Sequence, residues 1–309
     1  MLQRATRNQQ TLADFQGGNL AIAAESFLVD RRAAGRTPGT IQNYKEHLTH
    51  FITYCDALGL KLIHELSADF IRHYLLALAE THNAGGVHGF YRTARAFLRW
   101  IELEEVMPAD WRNPIHKVKA PKVPETLLEP VTLEHVNALI EACKGENAAR
   151  DKAIFLCLLD TGVRAMELCN SNLDDVDMGT GAITIRQGKG RKPRTVFIGN
   201  KTRRAMRAYL RTRRDNASAL FVTVYQERLT YNGLREILRR RSRDAGISEQ
   251  TLHQFRRAFA IGYLRNGGDI FTLQQLMGHT TLEVLRRYLK LTDQDAQIAH
   301  AKYSPVDRL

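Results

Sequence analysis

Apolar residues recur every three or four positions along most of this chain, a period that predicts helices. The clearest run follows Thr37, a suitable N-cap with Pro38 behind it: Ile41, Tyr44, Leu48, Phe51, Ile52, Cys55 and Leu58 line one face until Gly59 stops it. A second run after Ser67 carries Phe70, Ile71, Tyr74, Leu75 and Leu78, and a third after Gly85-Gly86 carries Phe90, Ala94, Phe97, Leu98 and Ile101. With residues 20–34 these predict a helical bundle over residues 1–110, its aromatic residues being core. Residues 111–130, WRNPIHKVKAPKVPETLLEP, hold four of the eight prolines and no periodicity, and so predict a stiff, extended linker.

Beyond the linker, over residues 131–309, the pattern changes. A helix opens at Thr132 with Leu133, Val136, Leu139 and Ile140, and a strongly apolar one spans Asp151–Leu159. Only AITIRQ (182–187) and RTVFIG (194–199) read as strands, joined by GKGRKP as a hairpin with a Gly- and Lys-rich tip. Helices are expected again near 201–214, 230–245, 252–266 and 281–290. The fold class is therefore mostly α: an N-terminal helical bundle, then an α+β domain with a small antiparallel sheet.

Length supports two domains, since 309 residues exceed one comfortable core. The longest apolar run, Ala153–Leu159, is far short of the roughly 20 residues that cross a bilayer. The first residues, MLQRATRNQQTLADFQ, have no apolar stretch behind their arginines, so no signal peptide is read and a cytoplasmic location is expected. Cys55, Cys143, Cys157 and Cys169 are widely spaced within apolar patterns and read as core thiols. Net charge is +12, and its distribution is uneven. Residues 1–120 hold 14 Lys+Arg against 12 Asp+Glu, whereas the remainder holds 31 against 21. A polyanion, nucleic acid before membrane, is the natural partner of the second half.

Four local signals there could carry chemistry. In LLDTGVRAMEL (158–168) an apolar helix breaks at Thr161-Gly162 and leaves Arg164 beside the core, with Glu167 as its partner. In HQFRRAFA (253–260) His253 and Arg256 share a helix face while Phe255 and Phe259 pack inward. Lys189 lies between two glycines at the hairpin tip, and Lys192 shares the turn. In LMGHTTLEVLRRYLK (276–290) Thr280-x-x-Glu283 reads as a capping box, placing His279 in the turn ahead of a helix and Tyr288 along it. Each has an ordinary reading as an ion pair, a solvated basic face, a solubilising tip or a core tyrosine. Asp174, Asp175 and Asp177 could suggest a metal, but they precede a strand and read as turn residues. With no P-loop and no carboxylate cluster, no cofactor or metal is expected.

Taken in order, Arg164, Lys189, His253-x-x-Arg256, Gly278-His279 and Tyr288 resemble the active site of the tyrosine recombinases, the family of phage integrases and chromosome-dimer resolvases. The resemblance extends to the helical first domain, similar to the family's core-binding domain, and so covers nearly the whole chain. One departure is Arg257, where the family often has histidine.

The resemblance implies a DNA strand transferase acting on double-stranded recombination sites, for integration, excision or resolution. Tyr288 would be the nucleophile, forming a 3′-phosphotyrosine and releasing a 5′-hydroxyl. A phenol is mostly protonated at neutral pH, and His253 would take its proton. Arg164 and Arg256 would clamp the scissile phosphate, His279 would donate to it, and Lys189, or Lys192 in the same turn, would protonate the leaving oxygen. The family's mode of action implies a two-domain clamp on DNA and a homotetramer in the synaptic complex. Residues 293–309 would be the tail that docks on a neighbour. A type IB topoisomerase, which reseals one duplex without exchange, and a non-catalytic DNA-binding protein on the same scaffold are the alternatives.

Overall fold

Helix starts in this protein are set by small polar side chains that take up otherwise orphaned backbone N–H groups. In the computed structural model, which describes residues 18–105, 107–124, 129–186, 193–278, 297, 300–304 and 306–308, Asn19 opens α1 (Leu20–Ala33) by accepting from the Ala21 and Ile22 amides. Thr37 caps α2 (Pro38–Ala57) and Ser67 caps α3 (Ala68–Thr81). Asn83 caps α4 (Ala84–Leu103), so Gly85-Gly86 falls inside the first turn of that helix rather than ahead of it.

The chain divides into two units, residues 1–126 and 127–309. In the first, the predicted apolar faces meet around Phe27, Phe51, Tyr74 and Phe97, with Phe27 edge-on to both Phe97 and Trp100. Part of the segment expected to be an extended linker belongs to this core. Residues 114–117 form a short 3-10 turn started by Asn113, and Ile115 and Val118 are buried against the bundle. Prolines prevented a long helix there without preventing burial.

In the second unit Thr132 caps α5 (Leu133–Glu141), followed by α6 (Ala148–Thr161) and the short α7 (Ala165–Asn170). Strands β1 (Ala182–Ile185) and β2 (Arg194–Phe197) pair antiparallel in the register Ala182↔Phe197 to Ile185↔Arg194, as the sequence pattern indicates. Then come α8 (Asn200–Thr212), α9 (Tyr231–Asp244), α10 (Leu252–Arg265) and α11 (Ile270–Met277). The core joins α6, α10 and the inner face of the hairpin, with Phe155 stacked on Phe255 at 5.9 Å. Truncating either ring would cost about 3–5 kcal/mol.

α11 has no counterpart in the periodicity reading. Its start is nonetheless a plain signal, since Asp269 accepts from the Thr272 amide at 2.6 Å. The helix expected at 281–290 lies outside the described residues. All four cysteines are free thiols, pushed up to about 11 or 12 by burial. Among the described residues, no helix is long and apolar enough to cross a membrane.

Candidate active site

Two left-handed glycines set the floor of the candidate site. α6 ends at Gly162 (φ +59°) and α11 ends at Gly278 (φ +61°), conformations that only a residue without Cβ adopts freely. At Gly162 a methyl group would run into the Phe259 ring, so α10 lies directly against this turn. The turn frees Arg164 from α6 and delivers it to the start of α7.

There Glu167 takes hold of it. The Glu167 carboxylate accepts the Arg164 backbone N–H at 2.8 Å and its guanidinium at 3.0 Å, closing the first turn of α7. The same carboxylate receives a two-pronged contact from Arg194 at the start of β2, at 3.0 and 2.6 Å. Burial alone would raise the Glu167 pKa, but the Arg194 hydrogen bonds, the Arg164 amide and both guanidinium charges push it down to about 2. It is therefore a permanent anion that holds two cations in a fixed arrangement. The Arg164 side chain remains 37% exposed, so this cation is anchored at its base and open at its tip.

α10 brings the other two described candidates. Arg256 is only 2% exposed and donates through one nitrogen to the Gly162 carbonyl and through the other to the Met277 carbonyl at 2.7 Å. One guanidinium thus bridges the turn that delivers Arg164 and the end of the helix that leads into Gly278-His279. Both acceptors belong to helix ends, where carbonyls lack intrahelical partners and a cation is favoured. His253, one turn earlier, keeps an edge open to solvent. Desolvation of its ring, then the neighbouring charges of Arg257, Arg256 and Arg164, push its pKa below the ordinary value, so the imidazole is neutral at neutral pH.

Arg256 therefore ties the end of α6, from which Arg164 emerges, to the end of α11, and His253 lies close enough to feel the charges of both arginines. Lys189, Lys192, His279 and Tyr288 lie outside the described residues. The acidic residues Asp175 and Asp177 act as turn residues: Asp175 accepts from the Asn172 amide and pairs with Arg186, while Asp177 accepts from the Gly179 and Thr180 amides. Arg194 is the participant that motif reading passed over. Its signal was available: two residues before buried Val196 and opposite buried Ile185, it is a charged residue at a core-facing strand position.

Comparison with known proteins points the same way. Residues 129–295 match the model of the phage integrase family. Tyrosine recombinase XerA of Pyrococcus furiosus is 30% identical over 271 residues, which cover 87% of this chain and 89% of that protein. Tyrosine recombinase XerC of Myxococcus xanthus is 30% identical over 284 residues, covering 88% and 93%. The crystal structure of XerA recombinase is similar with a TM-score of 0.52 at 26% identity, covering 92% of this chain and 98% of that one. A lambda integrase tetramer bound to a Holliday junction shares the fold, with a TM-score of 0.72 at 16% identity over 85% of this chain and 78% of that one.

Proposed function

The chain belongs to the phage integrase family and is a site-specific tyrosine recombinase, a DNA-cleaving and rejoining enzyme; from that premise we propose that Tyr288, Arg164, Arg256, His253, His279 and Lys189 form its catalytic set. The observation that carries this assignment is the pair of hydrogen bonds that Arg256 donates to the Gly162 and Met277 carbonyls, because it ties the segment bearing Arg164 to the segment that continues into His279.

In the proposed reaction the Tyr288 phenolic oxygen attacks a backbone phosphorus of duplex DNA. His253, neutral for the reasons given above, accepts the phenolic proton as the O–P bond forms. The P–O5′ bond breaks, and the departing 5′ oxygen takes a proton from Lys189, leaving a 3′-phosphotyrosine. Charge gathering on the non-bridging oxygens is met by Arg164 and Arg256, with His279 donating. Arginine suits the task because its planar fork spans two oxygens and stays charged at any working pH. Attack by a 5′-hydroxyl on the phosphotyrosine reverses each step, so the bond energy is retained in the adduct. The helical first unit acts as a second DNA-contacting domain. Four copies assemble on two sites, as one solved relative does in its tetramer on a Holliday junction, and the segment 293–309 docks on a neighbouring copy.

The test uses a nicked duplex carrying the sequence that this protein selects from fragmented genomic DNA. Cleavage a few nucleotides before the nick, in the same strand, frees a short fragment that carries the 5′-hydroxyl away and traps protein on the 3′ end. The expected result is a covalent adduct whose protease-resistant DNA-linked peptide contains Tyr288, and no adduct from Tyr288→Phe. An adduct from Tyr288→Phe would reject the nucleophile. Recombinant joints between two differently labelled duplexes separate an exchanging enzyme from one that only nicks and reseals.

A further inference from the structure

Arg194 stands first in β2, on the face that its neighbours Val196 and Ile185 turn to the core, and its side chain is only 10% exposed. A guanidinium in such a place is costly unless several acceptors meet it. Here they come from two directions. Two nitrogens grip Glu167, and Nε donates to the Leu276 carbonyl at 2.8 Å. Gly278 then lies on the same group: a methyl there would stand 3.1–3.2 Å from the Cδ, Nε and Cζ atoms of Arg194.

The geometry points to Arg194 as a positioning residue for strand cleavage, a latch that holds the Arg164 guanidinium through Glu167 and seats the Gly278 turn, so that the hairpin, α7 and the end of α11 move as one. This inference rests on the function proposed above. Arg194 does its work on Glu167 and α11 rather than on the phosphate. Glu167 Oε1 accepts from both arginine side chains, while Oε2 accepts from the Arg164 amide and from Arg194, so neither arginine shifts without disturbing the other. The last two carbonyls of α11 are divided between two arginines, Leu276 to Arg194 and Met277 to Arg256. Only Pro193 separates Arg194 from the 187–192 segment that carries Lys189 and Lys192. Lysine, a point charge on a single nitrogen, is unable to span a carboxylate and a carbonyl together.

The test is single-turnover cleavage of the nicked duplex at saturating DNA, with the full chain. In Arg194→Lys the rate constant should fall by about 10- to 100-fold, the cost of misplacing a catalytic group by an ångström or less. DNA affinity should stay within about twofold, because binding and chemistry separate when only positioning is lost. A merely structural role would lower the fraction of active protein instead of the rate constant. In a Glu167→Gln background the further loss from Arg194→Lys should shrink to about threefold or less, since coupled residues are not additive. Should Arg194→Lys fail to fold, Gly278→Asn serves: asparagine tolerates the left-handed turn but crowds Arg194. It should slow cleavage severalfold with DNA affinity within about twofold, and a parent-like rate would overturn the latch.

A parent-like rate in Arg194→Lys, equal losses with and without Glu167, or affinity falling in step with rate would each overturn the latch. Absence of any adduct from the parent protein would instead reject the proposed function, which keeps the two failures apart.

Discussion

Two buried carboxylates in the second unit are each shared between arginines, and they teach opposite lessons. Asp151 on α6 is fully enclosed; Arg150 holds one oxygen at 2.8 Å and Arg241 the other at 2.7 Å. Those arginines are themselves 7% and 8% exposed, and they also donate to the backbone carbonyls of Val222, Ala142 and Lys144. These close contacts are buried and join α6 to α9 and to the end of α5, while the exposed Arg240 reaches the same carboxylate only at 3.7 Å. Glu167 has the same chemistry but an open rim, because Arg164 keeps 37% of its side chain accessible. An ion cluster that is sealed stabilises; one that leaves a guanidinium tip exposed has an acceptor still to receive.

The sharpest way to break that comparison is to change one charged partner in each cluster. Asp151→Asn should lower unfolding free energy by about 3–5 kcal/mol in urea titrations, the usual result of leaving buried arginines unpaired. The folded fraction should still cleave with the parent rate constant. Arg164→Lys should do the reverse. Stability should change by about 1 kcal/mol or less, as for a half-exposed ion pair. Single-turnover cleavage should drop by about 10²- to 10³-fold, as when one transition-state donor is lost. If Arg164→Lys unfolded the protein and Asp151→Asn silenced a folded one, the roles would be exchanged.

Acid sharpens the contrast further. The Glu167 pKa lies near 2 in the folded state, below its ordinary 4.5, so its contribution to stability is complete above the ordinary value and drains away as pH falls toward 2. In Arg194→Gln the carboxylate loses its strongest counter-charge, and acid unfolding followed by circular dichroism should begin at a higher pH.

The smallest expected effect concerns His253. Its pKa is lowered from 6.5, so the acid limb of the cleavage rate should lie below that pH, where the ring finally gains a proton. Replacing Arg257, whose charge suppresses that proton more than those of Arg256 and Arg164, by glutamine should move the limb upward by less than about one pH unit. A limb that did not move would remove His253 from the role of base.

Much of this was legible before any coordinates. Thr37, Ser67, Thr132 and the hairpin marked their own elements, because capping and period-two alternation are local and depend on neighbours within a few residues. The glycine starting the Arg164 turn and the one ahead of His279 were also visible, and both adopt the left-handed conformation that their positions require. Other features escaped. The segment holding Ile115 and Val118 is proline-rich and aperiodic, so its burial depends on a surface elsewhere that happens to accept it. α11 is eight residues long, too short to show a period. Among the site residues, Glu167 was identifiable as a partner of Arg164 three residues away, whereas its larger contact with Arg194 spans 27 residues and leaves no spacing to recognise.

By itself, then, the chain's sequence determined most of the longer helices, where they start, and the order of residue types that marks a tyrosine recombinase, because each of these is written in side-chain chemistry read along the backbone. Only the tertiary structure decided which acceptors each arginine meets. Arg256 places a donor on each of two helix ends, and Arg194 joins a strand to a carboxylate and to one of the same helix ends. Hydrogen bonds of that kind are set by distances of about 3 Å between groups tens of residues apart, and such distances exist only once the chain has packed.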